Sequence, residues 1–121
     1  MKHIKNKSFK FKFQGKTCVL KDFQICKTIF SKTIGLMFKK NPENLLFVFE
    51  EPVKISIHSF FCRKKFVAIW LLKGRIIDAR IVSPWKVNIC PRKKFDKLLE
   101  LPFNDIKKIS QFSSLLETFK Y

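Results

Sequence analysis

The chain has 121 residues, of which 46% are hydrophobic, and a formal net charge of +17. That length is typical of one domain with one hydrophobic core, and the fifteen phenylalanines exclude an intrinsically disordered chain. Lysine or arginine interrupts every apolar stretch well before the ~18 residues that a membrane-spanning helix needs, and the N-terminus lacks the apolar segment of a secretory signal. We therefore expect a single cytoplasmic domain over residues 1–121, with no transmembrane segment.

The positive charge has two explanations. A basic protein attracts anionic partners such as nucleic acid or a phospholipid surface. The same chain is rich in Lys, Phe, Ile and Asn and contains only three glycines, a bias that an AT-rich genome produces without selection for binding. Composition alone leaves both explanations open.

The N-terminal half begins with strands. Residues 8–14 alternate phenylalanine with lysine, which places three aromatic rings on one face and two charges on the other, the pattern of a half-buried strand. A turn at Gly15 leads to a second strand over residues 17–21. Apolar residues at helical spacing then predict a short helix over residues 28–39, and a buried strand is expected at residues 45–49.

The C-terminal half is mainly extended. Segments rich in Ile, Val, Phe and Trp predict strands at residues 54–61, 66–72, 75–83 and 86–90, and alternation of leucines with other residues predicts a final strand at 95–101. Lys73-Gly74 forms a tight hairpin turn, and a short terminal helix begins after Ser110. The second of these strands is apolar on both faces, which predicts a central strand covered on both sides. The expected fold is mainly β, a single-domain sandwich or barrel-like structure with one short helix.

An ordered series of short motifs runs through the chain. They are Gly35-Leu36-Met37-Phe38-Lys39-Lys40, Leu46-Phe47-Val48-Phe49, Ser56-Ile57-His58, Ile69-Trp70-Leu71, Pro84-Trp85 and Glu100-Leu101-Pro102. In this order the motifs resemble the archaeal branch of the domain of unknown function 192 family, over about residues 16–102. The resemblance implies a compact β-sandwich or barrel-like fold with one short helix, and it implies no reaction.

Two departures from the family pattern matter. The family usually has an aspartate where Val67 stands, preceded by a proline where Lys65 stands. If that aspartate belongs to a functional site of the family, this chain has lost or altered it.

Four residues are candidates for a small-molecule or carbohydrate pocket: His58, Asp78, Trp85 and Glu100. Each also has a structural explanation. A lone histidine is more often bonded to backbone than catalytic, and Asp78 forms a surface ion pair with Arg80 if the two share a strand face. Trp85 either stacks on a ligand or plugs one end of the sandwich. A site requires that these side chains converge within hydrogen-bonding reach.

No arrangement of residues points to a metal, a cofactor or a covalent mechanism. The four cysteines, Cys18, Cys26, Cys62 and Cys90, lack Cys-x-x-Cys spacing, so we expect buried thiols rather than a zinc or redox site, with two disulfides as the alternative. Phosphate-binding loops and catalytic triad motifs are not found in the sequence. We therefore favour a non-enzymatic function.

Two basic clusters give the strongest functional signal, and both read Arg-Lys-Lys-Phe. Their charged residues are Arg63, Lys64, Lys65, Arg92, Lys93 and Lys94. Lysines outnumber arginines by twenty-two to four, which favours diffuse contact with phosphates over base-specific recognition. The sequence therefore predicts a binding module for anionic polymers such as RNA, with the small-molecule or carbohydrate-binding domain as the alternative and a membrane surface as a third partner.

Overall fold

In the residues that the structure describes, the fold is a mainly antiparallel sheet of six strands that curls into a barrel. A computed structural model describes residues 2–13, 15–26, 44–59, 62 and 64–102. Its strands are β1 (Lys2–Phe13), β2 (Lys16–Cys26), β3 (Asn44–Val53), β4 (Phe66–Leu72), β5 (Arg75–Val82) and β6 (Phe95–Pro102). They follow the order β1-β2-β3-β6-β4-β5, and the barrel closes through one pair, Lys12 with Arg75. The prediction of a mainly β, barrel-like fold is confirmed.

The expected helices over residues 28–39 and after Ser110 lie outside the described residues. Within the described part of the chain, every regular element is a strand. The short helix thus stays a prediction.

Strands β1 and β2 form the first hairpin. They pair antiparallel from Phe13 with Lys16 to Lys2 with Ile25, and Gly15 at φ +75° supplies the left-handed turn residue. Both strands are longer than predicted. The expected alternation holds, because Phe11 is buried inside the barrel while Lys10 and Lys12 are exposed.

Strand β4 is the centre of the sheet, as its apolar sequence predicted. It pairs antiparallel with β5 on one side and with β6 on the other. The turn to β5 places Lys73 at φ +50° and Gly74 at φ +80°, as a two-residue hairpin turn of type I′ requires. Because successive side chains point to opposite faces, Val67, Ile69 and Leu71 point into the barrel while the alternate residues point outward.

Two apolar clusters therefore share one sheet. The inner cluster fills the barrel and contains Phe11, Cys18, Leu20, Phe23, Leu46, Val67, Ile69, Leu71, Ala79, Leu99 and Leu101. The outer cluster lies on the opposite face and contains Cys26, Leu45, Phe47, Cys62, Phe66, Ala68, Trp70, Val82, Ile89, Phe95 and Leu98. Val67, at the family's aspartate position, is buried in the inner cluster and replaces a carboxylate by apolar packing.

The outer cluster is covered by the described residues of two long connections, residues 54–65 between β3 and β4 and residues 83–94 between β5 and β6. We call these the loop layer. Strands were predicted at residues 54–61 and 86–90, and this was wrong: the described residues there make one isolated bridge, between Ile57 and Ile89. Positive φ values at Trp85 and Asn88 interrupt the extended backbone that a ladder needs.

Candidate binding surface on the loop layer

Ser59 joins the two connections of the loop layer. Its buried hydroxyl donates a hydrogen bond to the Ser83 carbonyl and accepts one from the Lys86 N–H at 2.8 Å. Its carbonyl accepts from the N–H groups of Trp85, at 2.9 Å, and Cys62, at 3.2 Å. Ser59 also donates its own N–H to the Lys86 carbonyl at 2.9 Å. One serine thus fixes both ends of the Ser83–Lys86 turn.

Trp85 occupies the tip of that turn. Its side chain is 60% exposed and its φ is +63°, a value that suits glycine or asparagine after a proline in a type II turn. A bulky residue at this φ costs about 1–3 kcal/mol. Exposure contradicts the interpretation of Trp85 as a plug at one end of the fold, since a plug would bury its ring.

Every basic side chain that the structure describes in the loop layer is on the surface. The described ones, each exposed, are Lys54, Lys64, Lys65, Lys86, Arg92, Lys93 and Lys94. Arg63 lies outside the described residues. In sequence, residues 54–65 and 83–94 contain eight lysines and arginines and no aspartate or glutamate. The loop layer therefore carries only positive formal charge.

Asp78 and Arg80 share a face of β5 and form an ion pair, with Nη2 and Oδ2 separated by 3.3 Å. The pair is not the surface pair that the sequence suggested, because Asp78 is only 1% exposed. Asp78 Oδ1 also accepts the Ala79 N–H at 2.8 Å. The Arg80 guanidinium carbon lies 5.6 Å from the centre of the Trp70 ring. The same side chain donates a hydrogen bond to the Cys90 carbonyl at 2.8 Å, which connects the loop layer to the sheet.

Glu100 is a buried carboxyl group on the outer face of β6. It stands between Leu45 of β3 and Ala68 of β4, which are its pairing partners. Removal from water raises the pKa of Glu100 to about 8, so the neutral acid predominates at pH 7. Burial, together with the charge of Glu100, raises the pKa of Cys62 to about 11, which makes that thiol unreactive.

The four pocket candidates do not share one environment. His58 and Trp85 are exposed on the loop layer, whereas Asp78 and Glu100 are buried in the sheet. Asp78 and Glu100 are on the two strands that flank β4, where they pair with Trp70 and Ala68 respectively. Their backbones are therefore about 10 Å apart across the sheet and about 7 Å apart along it. Neither carboxylate faces solvent, where a ligand would approach.

The structure records all four cysteines as thiols, and three of them are buried. Among the described residues, no three His, Cys, Asp or Glu side chains are grouped as metal ligands would be. That same part of the chain contains no helix long and apolar enough to cross a membrane.

Sequence reasoning missed Ser59, the residue that organises the loop layer. A serine between His58 and Phe60 carries no motif, and its role depends on a hydrogen bond to a residue twenty-four positions away. No local signal identifies such a contact.

The model of the DUF192 family, described as "Uncharacterized ACR", matches residues 10–110. The chain belongs to this family. The match extends beyond both ends of the region that the motifs indicated. A relative, UPF0127 protein PH1112 of Pyrococcus horikoshii, is 30% identical over 84 residues, which cover 67% of this chain and 72% of the relative.

Two solved structures share the DUF192 fold seen here. One, from Sinorhizobium meliloti 1021 and described as a "putative transcription regulator", aligns with a TM-score of 0.73 at 17% identity over 89% of this chain and 88% of its own. The other, a protein of unknown function from Novosphingobium aromaticivorans, aligns with a TM-score of 0.68 at 13% identity over 83% of this chain and 76% of its own. At these identities the likeness shows the fold alone.

Proposed function

We propose that this DUF192 protein is a non-enzymatic binding module for anionic polymers, RNA in particular, and that the loop layer is its binding surface. The observation that carries the proposal is the exposure of every described basic side chain of the loop layer, in two segments that contain no acidic residue. Such a surface attracts phosphates through its uniformly positive formal charge.

The kind of contact follows from the residue types. Lysine is a flexible point charge, whereas arginine makes the fixed bidentate contacts that read bases and clamp phosphates. Six of the eight basic residues in the loop layer are lysines. We therefore propose sequence-independent contact with the phosphate backbone.

The small-molecule or carbohydrate alternative has weaker support. Two of its four residues, Asp78 and Glu100, are buried, and the other two belong to the loop layer itself. A membrane surface would contact the same lysines. A vesicle-binding measurement distinguishes a membrane partner from RNA.

Salt-dependent RNA affinity tests the proposal. Each neutralised phosphate adds about 0.7 to the slope of log affinity against log salt for a single strand. Replacing Arg92, Lys93 and Lys94 by glutamine should lower that slope by roughly 2 if all three side chains contact phosphates.

The matched control replaces Lys10, Lys12 and Lys16 by glutamine. These side chains are exposed on the β1–β2 hairpin, and the change in net charge is the same. A smaller loss in the control supports a binding surface on the loop layer. Equal losses would mean that net charge alone determines binding and that the loop layer has no specific role.

A further inference from the structure

Trp85 combines a large exposed aromatic residue with a backbone that suits glycine better. The residue is 60% exposed, its φ of +63° is left-handed, and its backbone N–H donates a hydrogen bond to the Ser59 carbonyl. Glycine would fit this backbone without strain. The other tryptophan, Trp70, is fully buried in the outer cluster, where its ring contributes to stability.

The backbone that carries the ring is fixed on both sides. The Ser59 hydroxyl bridges the Ser83 carbonyl and the Lys86 N–H, on either side of the Pro84-Trp85 pair. Pro84 fixes its own φ. An exposed aromatic ring on a backbone fixed at both ends loses little conformational freedom when a ligand stacks on it.

Positive charge adjoins the ring. Lys86 is the next residue, and exposed Lys64 and Lys65 precede Phe66, which pairs with Val82 at the same end of the sheet as the turn. Proteins that bind single-stranded nucleic acid combine these two features, an aromatic ring for a base and cationic side chains for the backbone phosphates. A base in a duplex has both faces covered by its neighbours and is not available to the ring.

We infer that the loop layer binds single-stranded rather than double-stranded nucleic acid, with one base stacked on the ring of Trp85. The inference rests on the proposed function, since it assigns the form of nucleic acid that the same basic surface takes. Lys86, together with Lys64 and Lys65 at the same end of the sheet, contacts the phosphates next to the stacked base.

The experiment compares three probes at one low salt concentration: a single-stranded 12-nucleotide RNA, the same RNA annealed to its complement, and inorganic polyphosphate. The wild-type chain should bind the single strand more tightly than the duplex. Trp85→Gly should weaken single-strand binding by about 5- to 150-fold and leave polyphosphate binding within about twofold. Glycine suits the φ of +63°, so this variant retains its fold.

Two further measurements isolate stacking. Val87→Ala shortens a second exposed apolar side chain on the same connection and should change the single-strand affinity less than twofold. Tryptophan fluorescence should be quenched by the single strand in the wild-type chain and in Val87→Ala but not in Trp85→Gly, where buried Trp70 is the remaining tryptophan.

The outcomes separate the two proposals. If Trp85→Gly binds the single strand as tightly as wild type, or if the duplex binds as tightly as the single strand, the stacking inference is wrong while polyanion binding stands. If the wild-type chain binds none of the three probes, the proposed function and the inference both fail.

Discussion

The two faces of the sheet are covered in different ways. The inner cluster is entirely apolar and is enclosed by strands from every side of the barrel. The outer cluster includes Trp70 and lies beside Asp78, Arg80 and Glu100, under connections fixed by buried Ser59. The buried charged side chains that the structure describes, Asp78 and Glu100, are on the face that carries the candidate binding surface.

Leu98 and Leu99 allow that comparison to be tested with one chemical change. They are neighbours on β6, both almost fully buried, and they point to the outer and the inner cluster respectively. Leu99→Ala should lower the free energy of unfolding by about 4–5 kcal/mol, because the enclosing strands cannot close the cavity. Leu98→Ala should cost less, about 2–3 kcal/mol, because the loop layer can settle into the space.

Denaturant unfolding of both variants measures the difference. A Leu98→Ala variant as unstable as Leu99→Ala would show that the loop layer is packed as rigidly as the barrel. The comparison between a closed and an adaptable core would then be wrong.

Glu100 gives the second test, through pH. Its pKa is about 8 in the folded chain and near 4.5 when unfolded, so between these values the folded state holds a proton that the unfolded state has lost. The contribution of Glu100 to the free energy of unfolding should therefore be largest below about pH 4.5. It should fall by a few kcal/mol as the pH rises toward 8, since each unit of pKa difference is worth about 1.4 kcal/mol, and then level off.

Glu100→Gln removes the titration and keeps the shape of the side chain. The stability of this variant should lose the decline between pH 5 and 8, as measured by urea unfolding at each pH. Glu50→Gln is the control, since Glu50 is exposed on β3. If wild type and Glu100→Gln show the same pH profile, Glu100 is ionised in the folded chain and has a charged partner.

The sequence was sufficient for the barrel and insufficient for the loop layer, and the reason is physical. Alternation in residues 8–14 and the doubly apolar run of β4 follow from the two-residue period of a strand, which is local. The loop layer depends on contacts between distant segments, such as Ser59 with Lys86 and Arg80 with Cys90. Its Ile- and Val-containing segments have strand composition, but their described residues make only one bridge.

For the candidate site, the sequence predicted the exposure of the lysines but not the burial of the two carboxylates. The lysines of both basic clusters were expected on the surface, and those described are exposed. Asp78 and Glu100 belong to strands in which alternation alone does not say which face is covered, because here both faces are. Burial of a carboxylate is therefore a tertiary property, set by the loop layer above it.

Ser59 gives the smallest of the three effects and tests whether the loop layer is held by polar contacts or by apolar packing. Ser59→Ala leaves the Ser83 carbonyl and the Lys86 N–H without their side-chain partner and should lower the free energy of unfolding by about 1–3 kcal/mol. Ser56→Ala, at an exposed position of the same connection, should change it by less than about 0.5 kcal/mol. Hydrogen exchange adds a local measure, since the Trp85 and Lys86 amides should exchange faster in Ser59→Ala while the amides of β4 remain protected. If Ser59→Ala is as stable as Ser56→Ala and its Trp85 amide is equally protected, the apolar contacts of Ile89 and Cys62 hold the loop layer in place without the serine.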